Sequence, residues 1–108
     1  MRLEVLLTDD ALRDLEEIYQ FIAQNDSETA ANHVYESIQK CLHRLEEFPN
    51  RGNHPKELLL WGEKQYREVF FKPYRIIYRV GTNHVHVQLI ADGRRDMQTL
   101  LSRRLLER

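Results

Sequence analysis

Three observations predict an α+β fold, ordered β-α-α-β-β-β-α, with a helical hairpin packed on a small, mainly antiparallel four-stranded sheet and a C-terminal helix. Two stretches in the first half of the chain carry apolar residues at helical spacing. Three runs in the second half, Tyr66–Phe71, Tyr74–Val80 and Val85–Ala91, are rich in β-branched and aromatic residues and are separated by turn signals. A Leu/Arg-rich stretch from Met97 to Arg108 closes the chain. The 108 residues suit a single domain, 1–108, with one modest core.

Each element has its own justification. Leu3, Val5 and Leu7 alternate along Arg2–Leu7, which reads as a strand. Thr8 caps the helix that follows, and Asp9 and Asp10 suit its positive N-terminal end. Leu12, Leu15, Ile18, Tyr19 and Ile22 carry that helix to about Ala23. Asn25-Asp26-Ser27 breaks it, and a second helix starts near Ser27 with an apolar stripe from Ala31 to Phe48. Pro49 is expected to end it. So short a break folds the two helices into an antiparallel hairpin.

Asn50 to Lys64 reads as a loop broken by Gly52, Pro55 and Gly62. Its Leu58-Leu59-Leu60-Trp61 either folds over the core edge or forms a flap that meets a partner. Lys72-Pro73 marks a tight turn between strands, and Gly81-Thr82-Asn83 marks the next. On the strand Tyr74–Val80, Tyr74, Ile76, Tyr78 and Val80 share the face that should pack on the hairpin. Arg75, Ile77 and Arg79 share the other, which is expected to be more polar and more available. In the tail helix, Met97, Leu100, Leu101 and Leu105 lie on one side, and Arg103, Arg104 and Arg108 point elsewhere. The leucines dock either on the chain's own sheet or on a partner.

The net charge of −1 conceals an asymmetry. Residues 1–50 hold 4 Lys/Arg against 11 Asp/Glu, and residues 51–108 hold 12 against 6. Either the two halves pair across the fold, or a basic surface attracts nucleic acid or an acidic protein. No apolar run approaches the roughly 18 residues needed to span a membrane. With no signal-peptide pattern and a lone cysteine, Cys41, a cytoplasmic location is expected.

No nucleophile motif, phosphate-cradling glycine loop or paired-carboxylate pattern is present, which removes most hydrolase, kinase and dehydrogenase chemistry. His84 and His86 share a strand face, yet no further ligand sits at a recognisable spacing, so neither metal nor cofactor is expected. RNA cleavage needs a base, an acid and cations for the developing phosphate charge. Arg67, Arg75 and Arg79 could supply cations, but arginine, with a pKa above about 12, moves protons poorly. His84, His86, Glu68, Asp92 and Tyr78 are the nearest groups for that task. Asp92 beside Arg94 and Arg95 is either a catalytic acid or an ion-pair partner.

Read together, these residues resemble a family. The strand and hairpin, Glu46-Glu47-Phe48-Pro49, the Gly52 loop, Tyr74-Arg75-Ile76-Ile77-Tyr78-Arg79-Val80 and Gly93-Arg94-Arg95-Asp96 before a leucine-bearing helix are similar, over nearly the whole chain, to the RelE/ParE toxins of type II toxin–antitoxin pairs. The ParE branch fits best. It departs at Asp92, where ParE relatives usually carry a histidine.

The resemblance implies a growth-inhibiting toxin. It would bind DNA gyrase without enzymatic activity and form a hetero-oligomer with a cognate ParD-like, ribbon-helix-helix antitoxin. Arg75, Arg79, Arg94 and Arg95 are the expected exposed contact residues, on the basic sheet face and beside the tail helix. The RelE alternative is a ribosome-dependent mRNA endonuclease with Arg67 and Arg75 clamping phosphates and His86 or Asp92 accepting a proton. A third reading is a weakly toxic or inactive homologue that only binds antitoxin.

Overall fold

The hairpin forms because both helices are capped and both carry an apolar stripe. In the computed structural model, which describes residues 2–107, Thr8 Oγ1 accepts from the Ala11 N–H at 3.1 Å and opens α1 (Asp9–Asn25). Ser27 Oγ accepts from the Ala30 N–H at 3.0 Å and opens α2 (Glu28–Arg44). Each bond satisfies an orphan donor of the first turn. α2 ends before Pro49 is reached. Its last turn tightens, with the Leu45 and Glu46 N–H groups reaching back three residues to Leu42 and His43, each at 3.1 Å.

The sheet has four strands in the order β1-β4-β3-β2. β2 (Tyr66–Phe71), β3 (Tyr74–Val80) and β4 (His84–Asp92) form an antiparallel meander. β1 (Glu4–Leu7) joins β4 in parallel, pairing with His84 to Val87 only. Ile77 pairs with Leu89 but Tyr78 with Val87, so Gln88 is a bulged residue. The extra residue changes the facing of β4. Val85 and Val87 pack in the core under the hairpin, Leu89 and Ala91 on the opposite side of the sheet.

The hairpin buries Ala11, Leu15, Ile38 and Leu42 against Val69, Ile76, Tyr78 and Ile90. This matches the face expected for Ile76 and Tyr78. Gly52 sits where the chain crosses Tyr78. A β-carbon there would lie 2.6 Å from the tyrosine oxygen, which instead accepts the Gly52 N–H at 3.0 Å.

The other sheet face corrects the expectation of a polar, available surface. It carries a second core of Leu58, Tyr66, Ile77, Leu89, Ala91, Met97, Leu101 and Leu105. Leu58 comes from a short helix, α3 (Lys56–Leu59), inside the segment expected to be a loop. The last three come from α4 (Met97–Leu101) and the π-helical turn Ser102–Leu106 that continues it. The tail leucines therefore dock on the chain's own sheet. Of the apolar run Leu58–Trp61, Leu58 is fully buried, while Leu59, Leu60 and Trp61 stay exposed. Arg108, expected on the polar side of the tail, lies outside the described residues.

Candidate partner-binding surface

Arg75 was expected on an exposed face and is buried, with 8% of its surface accessible. A guanidinium out of water needs anionic partners for its fixed fork of donors. Nη1 and Nη2 donate to the two carboxylate oxygens of Glu57 on α3 at 2.9 and 2.8 Å, and Nε donates to Glu68 on β2 at 2.7 Å. The hydrogen bonds from Arg75 hold the Glu57 carboxyl below its ordinary range. Burial pushes Glu68 the other way, and the neighbouring Glu57 charge adds a smaller push in the same direction. The arginine stem runs under the turn after β4, where a β-carbon on Gly93 would sit 2.8 Å from Arg75 Cδ. Arg75 thus ties α3, β2 and the Gly93–Asp96 turn together.

That turn presents two basic residues that remain accessible, Arg94 and Arg95. Asp92 Oδ1 accepts the Arg94 N–H and its Nε–H, each at 2.9 Å, and Oδ2 takes Nη2. Asp92 is therefore an ion-pair partner, and its bonds to Arg94 hold its carboxyl below the usual range. Asp96 Oδ1 caps α4 through the Thr99 N–H at 3.1 Å. Arg94 and Arg95 between them are exposed. They rim a groove of about 530 Å³ whose walls include Ile18, Phe21 and Ile22 of α1 together with Tyr74, Ile90 and Ala91. Phe21 is 67% exposed at its mouth.

The other sequence-derived candidates lie elsewhere. Arg79 pairs across the sheet with His86, at the opposite end of β4 from Asp92, six residues or roughly 20 Å along the strand. Burial, Arg79 and His84 together lower the His86 pKa. Arg67 donates to the backbone carbonyls of Asn50 and Gly52 at 3.3 and 2.8 Å. Arg67, Arg75, His86 and Asp92 do not converge on one point. Only Arg94 and Arg95, of the four expected contact residues, stand together on one rim.

Two features escaped the sequence reading. Glu57, the main partner of Arg75, sat in a segment without periodicity. Asp14 on α1 and Arg104 in the tail form a two-bond pair at 2.9 Å for each bond. Asp14 Oδ2 also accepts the Ile90 N–H at 3.0 Å, and Arg104 Nη1 donates to the Gln88 carbonyl at 3.1 Å. The pair covers the edge of β4 where the bulge and the end of β1 leave it without a neighbour. A helical Asp and a tail Arg 90 positions apart carry no local signal.

Residues 5–97 match the model of the family described as the ParE toxin of the type II toxin–antitoxin system, parDE. The chain is 25% identical over 100 residues to Toxin ParE3 of Caulobacter vibrioides, spanning 93% of this chain and 96% of that protein. Its fold is similar to that of a chromosomal ParDE toxin–antitoxin system from P. aeruginosa, with a TM-score of 0.71 at 19% identity over 84% of this chain and 96% of that one. It is also similar to a chain of the toxin–antitoxin complex RelBE2 from Mycobacterium tuberculosis, with a TM-score of 0.63 at 17% identity over 85% and 99%. With the family's match running from β1 to the start of α4, the chain belongs to the ParE toxins of type II toxin–antitoxin systems.

Proposed function

We propose that this ParE-family toxin acts by binding DNA gyrase, and that a cognate ParD-like antitoxin neutralises it by covering part of its surface. One observation carries the preference for binding over RNA cleavage. Most side chains of the nuclease alternative are committed to structural bonds, Arg75 to Glu57 and Glu68, Arg67 to backbone carbonyls and Asp92 to Arg94, and His86 lies at the other end of β4 from Asp92. Arg94, Arg95 and Arg103 remain exposed, with cationic side chains suited to contact rather than proton transfer.

The proposed site of action is the cytoplasm, and residues 1–108 are proposed to act as one domain. Among the described residues no helix is long and apolar enough to cross a membrane. A supercoiling assay with purified gyrase tests the target: inhibition at micromolar toxin is expected. Unimpeded supercoiling together with cuts in ribosome-bound mRNA would instead establish the nuclease alternative. Normal growth on induction without antitoxin would point to an antitoxin-binding homologue.

A further inference from the structure

Glu68 has one carboxylate oxygen to spare. Its Oε1 accepts from Arg75 at 2.7 Å, whereas Oε2 has no hydrogen-bond partner among the described residues, on a side chain only 8% accessible. A polar atom so deep is costly to leave unpaired. The oxygen is not sealed off, because Glu68 lines an open pocket of about 360 Å³. That volume falls within the roughly 300–1,000 Å³ of small-molecule sites. The pocket lies on the sheet face opposite the hairpin. Glu68 and Phe70 alternate with Val69 and Phe71, which pack into the hairpin core, and Phe70 pairs across the sheet with Arg75. Asn53 bonds both backbone groups of Glu68, at 3.2 and 2.7 Å, and lays the segment that follows along the edge of β2. That segment supplies the remaining walls, His54 and Lys56.

Each wall offers a different chemistry. Ionised Glu68 presents Oε2 as an acceptor. His54 Nδ1 lies 3.0 Å from the Tyr66 carbonyl, which can only accept, so Nδ1 carries the proton and Nε2 is a second acceptor. Lys56 is exposed and has no ion-pair partner among the described residues, and its charge acts on Glu68 against the effect of burial. Phe70 keeps 50% of its surface exposed and offers a flat apolar face. Acceptors, a ring face and a free cation in one pocket call for a ligand with N–H donors, a flat ring and an anionic group. We propose that this pocket binds a nucleotide with an amino-bearing base, stacked on Phe70, its amino group donating to Glu68 Oε2 and its phosphate against Lys56. Uracil and thymine lack the amino group. An aliphatic amine would leave Phe70 and Lys56 unused, and inorganic phosphate would leave Glu68 unpaired. The pocket shares no lining residue with the groove beside Arg94 and Arg95, so this binding goes beyond the gyrase and antitoxin contacts.

The full chain is titrated, with amide and carboxylate NMR signals followed, against guanosine monophosphate, uridine monophosphate, inorganic phosphate and a short single-stranded DNA carrying one guanine. Guanosine monophosphate should give saturating shifts at Lys56, Glu68 and Phe70 and bind at least tenfold more tightly than uridine monophosphate or phosphate. Phe70→Ala and Lys56→Ala, both at exposed positions, should each weaken it at least tenfold, and Phe48→Ala, exposed but outside the pocket, should not. In Glu68→Gln the amide oxygen faces Arg75, which can only donate, so the pocket gains a donor in place of its acceptor. The preference for the guanosine over the uridine nucleotide should then vanish. Tighter binding of the DNA assigns the site to a nucleotide within a strand, and tighter binding of the mononucleotide to a free one; either supports the proposal. No saturable shift with the guanosine nucleotide or the DNA would overturn it. So would equal binding of phosphate, or binding untouched by both Phe70→Ala and Lys56→Ala.

Discussion

Arg75 shows how one side chain can look like a ligand contact and serve as a tie. Its alternation with Ile76 placed it correctly on the face opposite the hairpin, but face is not exposure. The deciding partner, Glu57, lies on α3, in a stretch that a breaker-rich sequence presents as a loop. Arg75→Met should destabilise the protein by about 3 kcal/mol or more, since it strands two buried carboxylates. Adding Glu57→Gln and Glu68→Gln should recover most of that loss in urea unfolding. Gly93→Ala should cost about 1–3 kcal/mol, because its β-carbon meets a pinned arginine stem rather than a free side-chain end.

The two carboxylates should also respond oppositely to pH. Glu57, with its pKa lowered in the fold, contributes stability above the unfolded carboxylate range and loses it as pH falls through the folded value. Glu68, with its pKa raised, binds its proton more tightly when folded. Its contribution is full below the unfolded value and fades as pH rises through the folded one. Glu57→Gln should therefore weaken the protein most at neutral pH. Glu68→Gln should change it little there and flatten the pH dependence just above the ordinary carboxylate range. Denaturant midpoints across pH 4–7, roughly the span over which perturbed glutamates titrate, would show it.

At the scale of elements, the helix starts were legible because capping is local: Thr8 and Ser27 act within three residues. The strands were legible because alternation and turn residues are local too. What the tail covers was not, since its leucines suit its own sheet and a partner equally well. Their own-sheet docking is secured by Arg104, whose bonds to Asp14 and the bulged Gln88 cross from one end of the sequence to the other. Arg104→Ala should loosen the segment without unfolding the sheet. Amides of Leu101 to Leu106 should exchange at least tenfold faster, a change of about 1.4 kcal/mol in local opening, with β3 amides unaffected. Leu101→Ala, by contrast, should cost about 2–5 kcal/mol globally, because it hollows the second core.

Across the whole molecule, the charge split stays largely at the surface. Among the described residues, ion pairs joining the acidic first half to the basic second are Arg104 with Asp10 and Asp14, and His84 with Glu4 when the histidine is protonated. The remaining pairs lie within one half, such as Arg2 with Glu46 and Glu47, or Arg94 with Asp92. Surface charges left unpaired in this way favour encounters with charged partners that weaken as salt rises. The family was legible from the order of short segments along the chain. The surface was less so, because burial removed Arg75 from it and sheet register put Arg79 at the far end from Arg94 and Arg95.

Gyrase supercoiling in the presence of the purified toxin is the most direct measurement. Supercoiling should fall at micromolar toxin and recover when Arg94 and Arg95 are both replaced by alanine, a change that leaves the Arg75 tie intact. Full supercoiling activity with the native toxin, alongside cleavage of mRNA on the ribosome, would contradict a binder that acts on gyrase.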